Sequence, residues 1–513
     1  MNRRTVVMVV LDGWGIGRKD SSNPIYIAKP QTIEWIKHNH YSGSLQASGI
    51  AVGLPWQEEG NSEVGHLTLG AGRVIYQSFP RITLAIRNGS FFNNPILLAS
   101  VQHSISNNSR IHLVGLMSEG NVHSSFEHLQ ALIHMVKQAG IANERLNLHL
   151  FTDGVDGHQR GAMQLLEKLT TDNPGLRIAS ISGRYFAMDR DLHMDRTEKT
   201  YDVITGSQSA NRVKDKSASQ YISEFYMNGL TDEFIDPALL MEDGAVEKND
   251  SVIMFNFRED SIRQLTEMLI GSKIPGVLLT TFTTYSQKFS LPVAFPQENI
   301  DNPLGRVLSD NGRIQLRLAE SERYAHVTYY FNGYREPPFK NEYRAVIPSR
   351  STARPEEFPE LMAPEITGRA VSAIGERAYD FILINYANPD IMAHAGNFDA
   401  AVKAIKIVDA QVAELVKAIY ASDGILIITS DHGNVEKMID PLTGMIETQH
   451  NDSPVPIYIV AKEWEHPRDE MNVEIGERES IGVLADVAPS ILEILGLPQP
   501  PEMTGISLMK YLR

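Results

Sequence analysis

Short apolar runs that end in polar or glycine-rich clusters recur along the chain and constrain its fold more than any other feature. Val6–Leu11 ends at Asp12, and Ile425–Ile428 runs into TSDHGN. The other runs are Ile111–Leu116, Leu146–Phe151, Ile178–Ile181, Val252–Phe255 and Phe381–Asn385. Near-continuous hydrophobic runs of this length are typical of parallel strands that are covered on both faces.

Helical patterns lie between these runs. SSFEHLQALIHMVKQAG has Ser124 or Ser125 as a candidate N-cap, a stripe of apolar residues at helical spacing, and Gly140 as the stop. The alternation predicts an α/β protein with mostly parallel sheets, and 513 residues are too many for one core, so we expect two α/β units. The segment 348–365, rich in Pro and charge, is the most linker-like.

Composition excludes several classes of protein. The net charge of −16 argues against a nucleic-acid partner or an anionic membrane surface. The absence of cysteine excludes disulfides and thiolate chemistry, which suits a cytoplasmic enzyme. The apolar run Val6–Leu11 is too short for a signal peptide and predicts a buried strand, and no apolar segment is long enough for a membrane helix.

One group of polar clusters has the composition of a metal site. Three aspartates and three histidines follow apolar runs near the start and in the last quarter of the chain: Asp12, Asp390, His394, Asp431, His432 and His450. Each alone has an ordinary explanation as a helix cap, a turn or a surface pair. Together they suit manganese, zinc or cobalt, and they are enough for two ions. A metal ion on the hydroxyl of Ser62, in GNSEVGH, would make it a nucleophile without a histidine base.

The second group has the composition of an anion-binding site. It contains His123, Asp153, Asp156, Arg184, Arg190 and Arg258, with Arg323 later in the chain. Arginine matches phosphate and carboxylate in two-point contacts, so the set predicts a dianionic small substrate. His123 or Asp156 could transfer protons. Taken singly, each arginine is better explained as a solvated surface residue or as a salt-bridge partner.

Several long motifs resemble the cofactor-independent phosphoglycerate mutases, a family of the alkaline phosphatase superfamily. They include LDGWG, GNSEVGHLTLGAGR, SGRYFAMDRD, FNFRED, AHVTYYFNG, NYANPDIMAH and TSDHGNVEKM, and the similarity runs essentially end to end. The resemblance implies a phosphatase-like metal domain formed by residues 1–76 and 301–513. It also implies an inserted phosphotransferase domain, residues 77–300.

The resemblance also implies roles for single residues. Two metal ions, usually manganese with zinc, cobalt or magnesium as alternatives, would be held by two sets: Asp390, His394 and His450, and Asp12, Ser62, Asp431 and His432. Ser62 would carry the phosphoryl group between the 2- and 3-positions of glycerate, without bisphosphoglycerate. Asp156 would be the general base, and closure of the two domains would gate turnover. The substrate would be bound by His123, Asp156, Arg184, Arg190 and Arg258, with Arg323 on the phosphate.

Three positions depart from the family pattern, all on the substrate side. Val155 and Ser261 stand where the family usually has arginines, and Arg323 stands where it usually has lysine. Losing two arginines should weaken phosphoglycerate binding unless a neighbour such as Arg160 replaces them. The alternatives to a mutase are therefore a divergent mutase acting on a phosphoglycerate analogue such as a phosphonate, a metal-dependent phosphatase, and a non-catalytic binding protein. We expect a monomer in each case.

Overall fold

The computed structural model describes residues 4–512, and the chain forms two compact units. Unit 1 comprises Met1–Gln77 and Glu298–Arg513, and unit 2 comprises Ser78–Gln297. Each unit is built around its own β-sheet. The linker-like segment 348–365 lies within unit 1 and not between the units.

Strands and helices alternate through both units. The strands are β1 (Val6–Leu11), β2 (Tyr41–Gln46), β3 (Ile111–Met117), β4 (Leu146–Thr152), β5 (Arg177–Gly183), β6 (Ala238–Leu239), β7 (Ser251–Met254), β8 (Leu278–Thr281), β9 (Gln315–Glu320), β10 (Glu342–Ile347), β11 (Phe381–Tyr386), β12 (Ile425–Thr429), β13 (Val455–Val460) and β14 (Ser480–Val483).

The α-helices are α1 (Pro24–Ala28), α2 (Gln31–Asn39), α3 (Ser62–Ala71), α4 (Ser78–Arg87), α5 (Pro95–Asn107), α6 (Phe126–Gln138), α7 (Ala162–Asp172), α8 (Arg184–Ala187), α9 (Met194–Thr205), α10 (Ala218–Met227), α11 (Arg263–Ile270), α12 (Leu304–Asp310), α13 (Ala363–Glu376), α14 (Asn388–His394), α15 (Phe398–Ser422), α16 (Glu470–Arg478) and α17 (Val487–Ile494).

Unit 1 contains an eight-stranded sheet in the order β10-β9-β11-β1-β12-β13-β2-β14. Its strands are parallel except β13, which is antiparallel to both neighbours. β1 is completely buried at the centre, between β11 and β12, because its six apolar residues face helices on both sides of the sheet. The predicted buried strand at Val6–Leu11 is therefore confirmed.

Unit 2 contains a six-stranded sheet in the order β6-β5-β4-β3-β7-β8, parallel except for β6. Helix α6 occupies the predicted helical segment, beginning after Ser125 and ending two residues before Gly140, which has φ +82°. Ser125 occupies the N-cap position, as predicted for one of the two serines, but its side chain makes no capping hydrogen bond, and Oγ of Ser124 donates to the carbonyl of Leu116.

The α/β class with two mostly parallel sheets is confirmed. Among the described residues, no helix is both long and apolar enough to cross a membrane.

Candidate functional site

The carboxyl ends of three adjacent strands bring the predicted metal ligands of unit 1 together. Asp12 follows β1, Asp390 lies on α14 just after β11, and Asp431 follows β12. Val10 of β1 is in register with Asn385 of β11 and Thr429 of β12, so the three strands end at the same edge of the sheet. This edge is where open parallel sheets bind ligands.

Asp390, His394 and His450, here called the Asp390 set, converge on one point. Nε2 of His394 lies 3.0 Å from Nε2 of His450, and Oδ1 of Asp390 lies 3.4 Å and 3.6 Å from these two nitrogens. The other ring nitrogens are occupied, because Nδ1 of His394 is 2.8 Å from the carbonyl of Thr448 and Nδ1 of His450 is 2.9 Å from that of Gly60. Carbonyls only accept, so each Nδ1 atom carries a proton, and this hydrogen bond turns the Nε2 atom of each ring toward Asp390.

Asp12, Ser62, Asp431 and His432, here called the Asp12 set, converge beside it. Oγ of Ser62 lies 3.2 Å from Oδ1 of Asp12 and 2.9 Å from Nε2 of His432. Nε2 of His432 is also 3.7 Å from Oδ2 of Asp431 and 4.0 Å from Oδ1 of Asp390, so the two sets adjoin. Asp12, Asp431 and His432 are completely buried.

Ser62 reaches this position because it is the first residue of α3. Asn61 caps the helix with its side chain, 2.9 Å from the backbone nitrogen of Val64. Gly65, on the next turn, lets the helix pack closely against the loop after β12, since a Cβ there would lie 2.5 Å from the carbonyl of Asp431. The glycine therefore sets the distance between the hydroxyl and its neighbours.

The buried charges at this edge of the sheet shift one another's pKa values. Burial lowers the pKa of His432, but the carboxylates of Asp431, Asp12 and Asp390 outweigh it and raise the pKa to about 10. Burial raises the pKa of Asp390, but His450, His432 and Arg323 together lower it to about 2. The carboxylates of this edge are thus held in the ionised form that binds cations.

Arg323 connects one aspartate of each set. Its Nε lies 2.9 Å from Oδ2 of Asp12, and one terminal nitrogen lies 2.6 Å from Oδ2 of Asp390. The Oδ1 atoms of both aspartates face the histidines instead. The arginine fork therefore holds the outer oxygens and leaves the inner ones for other ligands.

The donor chemistry of this edge fits divalent metal ions. In the Asp390 set, the Nε2 atoms of two imidazoles and one carboxylate oxygen face one another at 3.0–3.6 Å. In the Asp12 set, the buried Oδ2 of Asp431 makes no hydrogen bond of good geometry, although Nδ1 of His66 is 3.2 Å away. Mixed imidazole and carboxylate sets of this kind are typical of manganese, zinc and cobalt sites.

In unit 2 the carboxyl ends of β4 and β5 place two aspartates around one arginine. The same terminal nitrogen of Arg184 lies 2.6 Å from Oδ1 of Asp153 and 2.6 Å from Oδ2 of Asp156. Asp153 also accepts hydrogen bonds from Ser118 and from the backbone nitrogens of residues 155 and 156. Burial raises the pKa of Asp153, but these bonds outweigh it and lower the pKa below its usual value.

The rest of the predicted substrate group surrounds Asp260. Arg258 and Arg190 lie 3.0 Å and 3.3 Å from Oδ2 of Asp260, so the two cations share one carboxylate. Nδ1 of His123 is 3.0 Å from Oγ of Ser261, and its Nε2 is 3.9 Å from Asp156. Burial and the charge of Arg184 lower the pKa of His123, so its ring is neutral near pH 7.

The two positions without the expected arginines differ in surroundings. Val155 is 55% exposed, whereas Ser261 is 4% exposed and bonded to His123. Arg160, the candidate replacement, has its guanidinium 5.4 Å from the ring centre of Tyr226. Arg160 therefore makes a cation–π contact with Tyr226.

Sequence reasoning missed several residues that touch these groups. His66 and Asn385 contact members of the Asp12 set, Asn434 donates to Asp390, and Asp260 joins the two exposed arginines. His66 is four residues after Ser62, and that spacing on a helix is the one signal that pointed to a contact. The contacts of the other three join residues on or after different strands, so they depend on the order of the strands in each sheet.

Comparison with known proteins places the chain among metalloenzymes. A family model described as the metalloenzyme superfamily matches residues 4–499. The 2,3-bisphosphoglycerate-independent phosphoglycerate mutase of Pseudomonas fluorescens is 40% identical over 99% of this chain and 99% of its own length. The protein of that name from a Synechococcus strain is 42% identical over 98% of this chain and 96% of its own.

A solved structure is similar over the whole chain. The phosphoglycerate mutase of Leishmania mexicana, crystallised at low cobalt concentration, has 27% sequence identity and a TM-score of 0.52. The match covers 98% of this chain and 97% of that one.

Proposed function

Because this chain belongs to the 2,3-bisphosphoglycerate-independent phosphoglycerate mutases, we propose that it interconverts 3-phosphoglycerate and 2-phosphoglycerate through a phosphoryl group carried by Ser62. The observation that carries the proposal is the position of the Ser62 hydroxyl, 2.9 Å from His432 and 3.2 Å from Asp12, at the end of the sheet. Unit 1 is the phosphatase-like metal domain, and unit 2 is the inserted phosphotransferase domain.

Two divalent ions, manganese in the first instance, are held by the two sets. The Asp390 set binds one, and the Asp12 set binds the other. When bound, the ions supply positive charge that stabilises the ionised Ser62 hydroxyl and the phosphoryl oxygens. The orphaned Oδ2 of Asp431 and the facing Nε2 atoms of His394 and His450 support this assignment.

The reaction takes place in two halves. In the first, the ionised Oγ of Ser62 forms a bond to phosphorus, the bond from phosphorus to the glycerate oxygen breaks, and that oxygen takes up a proton from Asp156. In the second, Asp156 removes a proton from the other glycerate hydroxyl, which takes the phosphoryl group from Ser62. No bisphosphoglycerate takes part, because Ser62 holds the phosphoryl group between the halves.

Cationic side chains bind the two anionic groups of the substrate. Arg190 and Arg258 bind glycerate, since both are half-exposed and share the single carboxylate of Asp260. Arg184 orients Asp156, and His123 is a neutral hydrogen-bonding group beside them. Arg323 binds the phosphoryl oxygens next to Ser62. Water must be excluded from the phosphoserine, because hydrolysis of this intermediate would make the enzyme a phosphatase and not a mutase.

The experiment that tests the proposal follows the phosphorus spectrum of 3-phosphoglycerate during incubation with the manganese-loaded protein. We expect 2-phosphoglycerate to form with no bisphosphoglycerate added. Inorganic phosphate as the sole product would identify a phosphatase, and an unchanged spectrum would exclude phosphoglycerate as substrate. Glycolysis as the pathway, the cytoplasmic location and the monomeric state stay predictions.

A further inference from the structure

Two completely buried side chains that belong to neither metal set lie against the Asp12 set. His66 is on the second turn of α3, and Asn385 is near the end of β11. Their nearest polar atoms, Nε2 of His66 and Nδ2 of Asn385, are 3.1 Å apart. The proposed reaction gives neither residue a role.

The contacts fix the orientation of both groups. Nδ2 of Asn385 lies 2.8 Å from Oδ2 of Asp12, which as a carboxylate only accepts, so the amide nitrogen must face it. The second amide proton then points to Nε2 of His66, which must be the unprotonated nitrogen of the ring. Nδ1 of His66 therefore carries the proton, and it lies 2.8 Å from the carbonyl oxygen of Ser62.

The same proton is also close to the third member of the set. Nδ1 of His66 is also 3.2 Å from Oδ2 of Asp431, a close contact without hydrogen-bond geometry. The pair thus contacts Asp12, Ser62 and Asp431, three of the four residues of the Asp12 set. The shortest contacts of the Asp390 set go to other partners: Thr448, Gly60, Asn434 and Arg323.

We propose that His66 and Asn385 are positioning residues for the Asp12 set, with the neutral His66 ring fixing the backbone of Ser62 and the Asn385 amide fixing Asp12. This inference rests on the proposed assignment of that set as a metal site. Groups that hold metal ligands in place typically alter metal affinity by about 10–100-fold when they are replaced. The effect here is selective for one of the two ions.

The test is a Mn²⁺ titration of the full-length protein, stripped of metal beforehand, followed by electron paramagnetic resonance. Asp12→Ala and His394→Ala identify which binding step belongs to which set. We expect His66→Ala to lower the affinity of the Asp12 set for Mn²⁺ about 10–100-fold. The affinity of the Asp390 set should stay within about threefold of the wild-type value.

Two conservative variants separate positioning from bulk packing. In His66→Asn the amide nitrogen lies near the position of Nδ1, whereas in His66→Gln it lies near that of Nε2. We expect His66→Asn to recover most of the lost affinity and His66→Gln to recover little. Asn385→Ala leaves helix α3 unchanged and should lower the affinity of the Asp12 set in the same way. This variant tests the inference if His66→Ala does not fold.

Equal weakening of both ions, no weakening of either, or recovery by His66→Gln as good as by His66→Asn would overturn the inference. If Asp12→Ala removed no ion, the proposed ligand set and the inference would fail together. If Asp12→Ala removed one ion and the His66 and Asn385 variants left the affinity for that ion unchanged, the inference alone would fail.

Discussion

Oγ of Ser62 lies 2.9 Å from Nε2 of His432, at the N-terminus of helix α3. The helix N-terminus favours negative charge on the hydroxyl oxygen, and the neighbouring carboxylates of Asp12 and Asp431 oppose it unless cations are bound. The serine is therefore placed where bound cations would decide its reactivity. This relationship links the metal-binding residues to the proposed phosphoryl carrier.

Replacing Ser62 by alanine should abolish turnover and leave the protein folded. The change removes the nucleophilic oxygen and one ligand of the Asp12 set but no contact of the Asp390 set. We expect mutase activity to fall by more than 10³-fold, as for removal of other covalent nucleophiles. The measurement is turnover of 3-phosphoglycerate, with Ser90→Ala, at an exposed serine of unit 2, as the control. Activity near the wild-type level in Ser62→Ala would refute the phosphoserine route.

Arg323 should tolerate lysine better than an uncharged side chain. Arg323→Met loses two charge-assisted hydrogen bonds, each contributing about 1.5–3 kcal/mol, so kcat/KM should fall more than 100-fold. Arg323→Lys keeps the charge and one contact, so the loss should be about tenfold. Arg306→Met, at an exposed arginine paired with Asp310, is the matched control. A lysine variant as inactive as the methionine variant would contradict this account.

Restoring an arginine should be useful at only one of the two departing positions. Val155 is exposed, so Val155→Arg can place a new guanidinium without displacing neighbours, and KM for phosphoglycerate should fall about tenfold. Ser261 is buried against His123, so Ser261→Arg should disturb folding and the His123 contact. The measurement is KM, with Val155→Met as the uncharged control. An unchanged KM in Val155→Arg would show that the anionic substrate is not bound beside residue 155.

His128 should make unit 2 less stable in acid. Burial lowers its pKa to about 3, so the folded state stays neutral while the unfolded state, with the ordinary pKa near 6.5, takes up a proton. The contribution of the neutral ring to the free energy of unfolding is complete above about pH 6.5. Below that pH it falls by about 1.4 kcal/mol per pH unit, until the pKa of His128 in the folded state is reached.

Urea unfolding of the metal-free protein at several pH values below 6.5 measures this effect. His128→Gln keeps a partner for Oγ1 of Thr83, which lies 2.9 Å from the ring, and should reduce the pH dependence by one proton. His134→Gln, at an exposed position of the same helix, should leave it unchanged. Identical pH dependence in wild type and His128→Gln would contradict the lowered pKa.

The sequence was enough to predict the fold class and the grouping of the polar clusters. Each apolar run became a buried strand because parallel strands need hydrophobic residues on both faces, as in β1 and β11. Asp390 and His394 lie four apart on α14, as the spacing indicated, and their side chains are 3.4 Å apart. Local rules govern these features, so a single sequence carries them.

Non-local contacts were not predictable in the same way. Asn385 meets Asp12 because β11 is the neighbour of β1, and sequence order does not determine that pairing. The burial of Ser261 and the exposure of Val155 likewise depend on packing, although both looked alike as missing arginines. The role of Asp260 between Arg190 and Arg258 also appears only when β5 and β7 are placed in one sheet.

The most direct test of the central claim is mass spectrometry of the peptide containing Ser62 after acid quenching of the manganese-loaded protein during turnover of 3-phosphoglycerate. We predict one phosphoryl group on Ser62 in the wild type, formed as fast as 2-phosphoglycerate appears, and none in Ser62→Ala. Turnover with unmodified Ser62, or with the phosphoryl group on another residue, would contradict the account.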